Sequence, residues 1–292
     1  MPTALRRLLD QRAQPLAGPL RTAVLVAATT GIVAATVWAW NSSGLSSGDL
    51  VWWPILVAFV VAAPATLALK AAEFALAARI VGQTPTARRS FDVAVLSSAA
   101  NLLPLPGSLL VTIRSLSEDG SPYGTALAAS AVPGLAWLSL TGIVGGGAIM
   151  VEGPPLLGAA VILGGIVAAI AAATIFTSTA PEEQRARLAF SIIAVEAGWL
   201  GISALRLGLA VTALGISIEP TQAVALSVAG AITVAIGFFP GGLGAREALI
   251  AGLSPLIGLP FNTGVLIGSL DRIIWLVFLG IAAAVIAARS RR

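Results

Sequence analysis

The run FFPGGLGAREALIAGL, residues 238–253, places a helix break and two charges inside an otherwise apolar sequence. Pro240 has no N–H group and ends the incoming helix. Three glycines after it allow close approaches and backbone angles that other residues do not: Gly241, Gly242 and Gly244. A helix that starts near Ala245 exposes unpaired N–H groups at its positive end, and Arg246 adds a full positive charge. The combination predicts a binding site for an anion such as phosphate.

Other interpretations of this run are weaker. It is not a nucleotide P-loop, because no Gly-Lys-Ser/Thr follows. It is not a dinucleotide fingerprint, because Glu247 stands where the third glycine belongs. An exterior turn with Arg246 in water is an open alternative. A second glycine-rich run, GIVGGGAIM at residues 142–150, has no polar group for chemistry and predicts close helix packing.

Eight charged side chains fall at predicted membrane depth. They are Lys70, Glu73, Glu196, Arg206, Arg246, Glu247, Asp271 and Arg272. A charge near the bilayer centre costs at least about 2.5–3.5 kcal/mol on insertion scales. We therefore expect each of them to face a cavity, a partner or a polar substrate.

Sequence spacing predicts some of the partners. Lys70 and Glu73 are three residues apart on one helix and can pair. Asp271 and Arg272 are adjacent, so they point about 100° apart and are expected to have different partners. Arg206 is near the outer end of its span and is expected to extend to the interface.

The eight residues divide into substrate and coupling candidates. Arg246 and Arg272, with the backbone of residues 241–245, are expected to hold an anionic group. Glu247 suits the helix N-terminus, where it can orient either arginine or carry a proton. Asp271, Glu73 and Lys70 are the further coupling candidates. For the Lys70–Glu73 pair and Glu196, structural ion pairs are an equally good interpretation.

The composition identifies the elements that must position these residues. Of 292 residues, 57% are hydrophobic and 10% are charged, against about 25% charged in soluble domains. Several apolar runs reach the roughly 20 residues that span a bilayer, and nothing shows the alternation of a transmembrane barrel. The fold class is all-α, a polytopic membrane protein. Without cysteine or histidine the chain has no disulfide, thiol nucleophile or His/Cys metal site, and we expect no catalytic residue or cofactor.

The apolar pattern predicts about six spans and two re-entrant hairpins. The spans are residues 22–40, 51–81, 123–150, 155–176, 185–214 and 262–288. The arms of hairpin one are residues 91–103 and 108–116, and those of hairpin two are residues 221–239 and 245–256. None of the four arms makes a convincing span, and most are far shorter than about 20 residues.

An internal repeat relates the two halves of the chain. Repeat one covers about residues 51–150 and repeat two about residues 185–288, each a long helix, a broken hairpin and a helix. Pro104 and Pro240 are 136 residues apart, as are Lys70 and Arg206. One extra span between the repeats makes their topology inverted.

The arginines predict the orientation. Residues 1–21 form a basic interfacial segment, residues 22–288 a single transmembrane domain, and residues 289–292 a basic tail. The arginine-rich loops lie on the side of both termini, whereas the opposite loops carry no basic residue. This bias places both termini in the cytoplasm of a multi-pass plasma-membrane protein, so the positive charge needs no nucleic acid to explain it.

The run PGGLGAREA resembles the C-terminal signature of the lysylphosphatidylglycerol synthase transmembrane (flippase-like) family. The matching residues are Pro240, Gly241, Gly242, Leu243, Gly244, Arg246 and Glu247. The resemblance implies an arginine in the last span, for which Arg272 is the candidate. It also implies a first motif in NLLPLPGSLL, where Asn101, Pro104 and Gly107 match loosely. The arginine expected there is absent unless Arg114, after this run, substitutes for it.

The resemblance implies movement of a lipid headgroup across the bilayer. We expect a flippase or transporter for an anionic lipid: a phospholipid, an aminoacyl-phospholipid or a polyprenyl-phosphate carrier. The aminoacyl-transferase domain of bifunctional family members is absent from these 292 residues. The expected partners are membrane lipids, with a homo-oligomer or a separate lipid-synthesising enzyme as further possibilities. The alternatives are an intramembrane transferase acting on a lipid phosphate and a small-solute or ion transporter.

Overall fold

The computed structural model describes residues 18–101, 107–236 and 244–290 of the chain, and side-chain statements begin at residue 29. This described part is all-α, with no strand. Its helices are α1 Gly18–Ser43, α2 Trp52–Ile80, α3 Ala87–Ala100, α4 Gly107–Glu118, α5 Tyr123–Glu152, α6 Pro155–Thr179, α7 Arg185–Ala213, α8 Pro220–Ile236, α9 Ala245–Leu253 and α10 Phe261–Ser290. Short 3₁₀ turns occupy Ser47–Asp49, Glu182–Gln184 and Ser254–Ile257.

Five helices are long and apolar enough to cross a bilayer: α2, α5, α6, α7 and α10. The shortest, α6, has 25 residues, and at 1.5 Å per residue it is about 37 Å long, more than the roughly 30 Å hydrocarbon core. The predicted all-α membrane class is therefore confirmed. The sixth predicted span, residues 22–40, lies within the 26-residue α1. Residues 1–17 and 291–292, from the predicted basic segments, lie outside the described residues.

The sequence of long and short helices occurs twice. Between the long helices α2 and α5 lie α3 and α4, with 14 and 12 residues, and between α7 and α10 lie α8 and α9, with 17 and 9. The two short helices of each half pack against each other. A Cβ added to Gly107 at the start of α4 would overlap the carbonyl oxygen of Ala100, so glycine is required there.

Contacts between helix ends define two faces of the bundle. At face one, the side chain of Arg89 in α3 lies 2.8 Å from that of Asp119 after α4. The start of α3 and the end of α4 therefore lie on the same face. At face two, Gln222 of α8 donates to the carbonyl oxygen of Ile257, just after α9, at 2.9 Å. Also at face two, the N–H of Val51 before α2 donates to Ala213 at the end of α7, so these helices are antiparallel.

Glycines allow α5 to approach its neighbours. A Cβ on Gly142 would lie 2.8 Å from the Cα of Gly165 in α6, and one on Gly146 equally close to the carbonyl oxygen of Gly158. Gly145 faces Val228 of α8 instead. The prediction that this glycine run serves helix packing is confirmed.

Helix α2 contains a π-helical segment, Ala58–Ala62, directly before Pro64. Proline supplies no N–H to the preceding turn and crowds it, which is a common cause of such local widening. The hydroxyl of Thr66 donates to the carbonyl oxygen of Ala62 at 2.8 Å, at the end of this segment. The irregular turn of α2 therefore lies beside Thr66, which contacts the site described next.

Candidate functional site

A buried carboxylate joins two arginines from different helices. Asp271 of α10 is 2% exposed, and each of its oxygens accepts from a different guanidinium. Arg206 Nε of α7 donates to Oδ1 at 2.8 Å, and Arg246 Nη1 of α9 donates to Oδ2 at 2.6 Å. Asp271 thereby links three helices, and both of its oxygens accept from guanidinium groups.

A second ion pair fixes the start of α9 against α10. Arg272 Nε donates to Glu247 Oε1 at 2.7 Å, in a buried contact. The other oxygen of Glu247 accepts the N–H of Gly244 at 2.9 Å and so caps the helix. Gly244 has φ +81°, which favours glycine. Both oxygens of Glu247 are occupied, so it positions Arg272 and the helix N-terminus, which was one of its predicted roles.

The adjacent residues Asp271 and Arg272 have different partners, as predicted. Asp271 contacts Arg206 and Arg246, whereas Arg272 contacts Glu247. The prediction that Arg206 extends to the interface is wrong. Its side chain is 10% exposed, and its guanidinium carbon lies 5.2 Å from the ring centroid of Trp275. The cause is tertiary: α10 brings a carboxylate and an indole to this turn of α7.

Two glycines of α10 allow α9 to pack this closely. A Cβ on Gly264 would lie 2.6 Å from the Cα of Ala251, and one on Gly268 would lie 3.1 Å from the Cα of Glu247. The spacing is the small-xxx-small pattern of membrane helix contacts. This close contact was not predicted from the sequence, although the G-x-x-x-G spacing of the GVLIG run is typical of packed membrane helices.

Arg246 lies between α10 and two other helices. A Cβ built on Gly230 of α8 would lie 3.9 Å from Nε of Arg246 and 3.7 Å from two ring atoms of Trp137 in α5. Trp137 Nε1 is a buried donor with no hydrogen-bond partner in the described part of the chain. The alternative of an exterior turn with Arg246 in water is wrong, because this side chain is 20% exposed and ion-paired with a buried carboxylate. Trp137 and Gly230 were not predicted, since no sequence spacing relates them to Arg246.

The charges of this arginine network, defined as Arg206, Arg246, Arg272, Asp271 and Glu247, do not balance. Three guanidiniums face two carboxylates, so the network carries one excess positive charge. Asp271 is ten residues from the start of α10, about 15 Å along the axis, which is half the thickness of the hydrocarbon core. The excess charge therefore lies about one third of the way along α10 from its start.

The predicted residues of the first hairpin are not part of this network. Arg114 is 82% exposed and pairs with Glu118 on the same helix, so its predicted substitution for the missing arginine is not seen. Asn101 is exposed at the end of α3. Gly241 and Gly242 lie outside the described residues.

A second polar cluster lies between α2 and α7. Lys70 Nζ is 2.6 Å from Glu73 Oε2, which confirms the predicted pair, although the angles are outside hydrogen-bond limits. The ammonium also lies 5.5 Å from the ring centroid of Trp199 in α7. Glu196, one turn before Trp199, is completely buried, and neither oxygen has a hydrogen-bond partner among the described residues. The expected structural ion pair of Glu196 is therefore absent from the described contacts.

Comparison of the chain with known protein families, with curated proteins and with solved structures found no match.

Proposed function

We propose that the protein moves an anionic-headgroup lipid across the bilayer, with the headgroup bound at Arg246. The observation that carries this proposal is the excess positive charge of the arginine network. Arg272 pairs with Glu247, while Arg206 and Arg246 share the single carboxylate of Asp271, so the network holds one cation more than its carboxylates neutralise. A buried cation beyond those that the carboxylates neutralise is expensive within a membrane-spanning bundle unless an anion visits it.

Three kinds of donor converge on the proposed headgroup. Arg246 supplies the charge, and Trp137 supplies an indole N–H that has no hydrogen-bond partner among the described residues. The first turn of α9 supplies backbone N–H groups without intrahelical acceptors, at the positive end of its dipole. The bare Cα of Gly230 leaves room between the two side chains. A phosphate accepts from all three, while Arg272 acts as a fixed cation held by Glu247.

The proposed topology has six spans and two re-entrant hairpins in an inverted repeat. The Arg89–Asp119 and Gln222–Ile257 contacts support it, because each helix pair begins and ends on one face and the two pairs use opposite faces. The antiparallel α2 and α7 support inversion of the repeats. The described arginines outside the network lie at or near face one, whereas Asp49, Glu152 and Glu219 lie at face two. By the positive-inside rule we place face one, with both termini, in the cytoplasm of the plasma membrane.

The family resemblance of the PGGLGAREA run agrees with this proposal and adds the lipid as substrate. An intramembrane transferase is less well supported, because a general base needs a free lone pair and proton-accepting capacity. Asp271 and Glu247 both have their oxygens engaged by guanidinium or backbone donors. No ionisable group is free in the described part of this network to serve as base.

The test is lipid movement in reconstituted vesicles. Fluorescent phosphatidylglycerol and fluorescent polyprenyl phosphate are incorporated separately, and a membrane-impermeant reductant reports exposure of inner-leaflet label. We expect the wild type to expose at least one of them faster than protein-free vesicles, and Arg246→Ala to return the rate to that of empty vesicles. Fluorescent phosphatidylcholine, which has no net charge, is the substrate control.

Arg114→Ala is the matched control variant, because it removes an exposed arginine whose partner lies on the same helix. It should retain the wild-type rate. Since Arg246→Ala leaves two balanced ion pairs, we expect it to fold, and its elution in size-exclusion chromatography checks this. Equal rates for wild type, Arg246→Ala and empty vesicles with both anionic lipids would refute the proposal. Efflux of labelled inorganic phosphate without lipid movement would instead identify a small-anion transporter.

A further inference from the structure

The second polar cluster has a composition that the arginine network does not explain. It contains one cation, Lys70, and two carboxylates, Glu73 and Glu196. Lys70 and Glu196 lie about 15 Å and 16 Å along their helices from the ends at face one, so both are deep in the bilayer. An ionised carboxylate there needs a cation or several donors, and Glu196 has no hydrogen bond in the described part of the chain.

The surroundings of Glu196 contain few other charges. The ionisable side chains that act on it electrostatically are Glu73 and Lys70 of α2. The spans of α5 and α8 that pack against α7 carry none within the bilayer. On α10, Asp271 and Arg272 are held in the arginine network, and Arg206 on α7 itself is ten residues away. Among the described residues, Lys70 is the one cation next to Glu196. Its ion pair with Glu73 involves a single carboxylate, so it can still pair with a second one.

We propose that Glu196 is a proton-binding site and that its proton decides which carboxylate Lys70 contacts. With the proton bound, Glu196 is neutral and Lys70 pairs with Glu73 within α2, which is the arrangement seen here. When the proton leaves, the new carboxylate competes for the ammonium, and Lys70 moves from an intrahelical pair to one that joins α2 to α7. These helices begin the two repeats, so the proton changes the contact between the two halves.

A proton fits this cluster better than a metal ion. Magnesium and calcium sites are built from several oxygen ligands, whereas this cluster offers two carboxylates, one of them already 2.6 Å from an ammonium. No group of three or more metal-binding side chains occurs in the described part of the chain. The side chains of Lys70 and Glu73 are 26% and 13% exposed, whereas Glu196 is not exposed at all. The ion pair is therefore closer to the protein surface than the buried acid.

The inference extends the proposed function, since it supplies a coupling ion, but its test does not depend on lipid movement. Infrared difference spectra between acidic and alkaline buffer should show the carbonyl band of a protonated acid disappearing in the wild type. Glu196→Gln, a neutral isostere, should lack this band. Glu152→Gln, which removes a carboxylate at face two, should keep it and is the matched control.

Movement of Lys70 has its own readout in the fluorescence of Trp199. A pH-dependent component, identified by its absence in Trp199→Phe, should also be lost in Glu196→Gln. Lys70→Met should lose the fluorescence component, and its infrared acid band should persist to higher pH than in the wild type, because the ionised carboxylate of Glu196 has lost its cation. Persistence of the band in a folded Glu196→Gln variant, or no acid band in the wild type at any pH that preserves the fold, would overturn the proposal. A response to sodium at constant pH, with choline as control, would also overturn it.

Coupling to transport separates the two proposals. In the vesicle assay, an imposed pH gradient should change the wild-type rate and leave Glu196→Gln unaffected. If no lipid moves but the infrared and fluorescence results hold, the lipid proposal fails and the proton site stands. If lipid moves without any dependence on the gradient and the acid band is absent, the proton site fails and the lipid proposal stands.

Discussion

Replacing Asp271 by asparagine should destabilise the protein more than any other single charge removal in the network. The carboxylate is 2% exposed and holds Arg206 and Arg246, one on each oxygen. Its loss leaves three guanidiniums against one carboxylate, and neither Arg206 nor Arg246 keeps an anionic partner. Removing one partner of a buried ion pair costs about 3–5 kcal/mol, because the remaining charge stays buried. We expect a loss in this range for Asp271→Asn.

The measurement is unfolding in mixed micelles with increasing denaturing detergent, followed by far-UV circular dichroism. Asp92→Asn is the control, since Asp92 is 37% exposed and its contact with Arg88 is at 4.0 Å. Such a surface change should be within about 0.5 kcal/mol of the wild type. The double variant Asp271→Asn/Arg206→Gln has two guanidiniums and one carboxylate, so it returns the network to the single excess positive charge of the wild type. It should be more stable than Asp271→Asn alone. Equal losses for Asp271→Asn and Asp92→Asn, or no recovery in the double variant, would refute the charge-balance reasoning.

Three further predictions concern packing, capping and pH. Gly264→Ala should destabilise by about 1–3 kcal/mol because its Cβ meets the Cα of Ala251, whereas Gly280→Ala, with open space, should stabilise slightly; detergent unfolding compares them. Glu247→Gln should loosen the start of α9 because the amide cannot accept from both Arg272 and Gly244, and hydrogen exchange of residues 245–253 should accelerate while that of α6 stays unchanged. The pKa of Asp49 should lie below its ordinary 3.8, because the N–H and hydroxyl of Ser46 donate to its carboxylate. This loop contact is therefore present above that ordinary value and lost as the pH falls through the lowered pKa, which NMR titration of the carboxyl carbon would measure, with Asp49→Asn as control.

Much of the helical layout could be predicted from the sequence. Apolar runs of 20 or more residues have one structural solution in a bilayer, so the predicted boundaries agree with α2, α5, α6, α7 and α10 to within a few residues. Local spacing was equally reliable: the Lys70–Glu73 pair follows from the helix period, and so do the separate partners of Asp271 and Arg272. These features depend on geometry within one helix.

Features that depend on packing between helices could not be predicted in the same way. The depth of Arg206 within α7 gave no sign of a carboxylate on α10, 65 residues later in the chain. Trp137 and Arg246 both lie near Gly230, which depends on how α5, α8 and α9 pack together. The lack of a partner for Glu196 is a property of everything packed around it, and no single-helix pattern reports it. The sequence therefore identified most of the charged residues but not which of them balance one another.

That balance relates the two clusters to each other. The arginine network has one excess positive charge, and the second cluster has one excess negative charge when Glu196 is ionised. The two clusters meet on α7, where Arg206 and Glu196 are ten residues or about 15 Å apart, and opposite unit charges at that separation attract by about 1 kcal/mol at an effective dielectric constant of 20. An anion at Arg246 cancels this attraction, and so does a proton on Glu196, so each one removes the penalty for binding the other. Under the two proposals, the resulting coupling would be about fivefold and would favour one proton with each singly charged headgroup. Thr66 accepts a hydrogen bond from Arg206, and Lys70 lies one turn later on α2. The same helix therefore borders the arginine network and the second cluster.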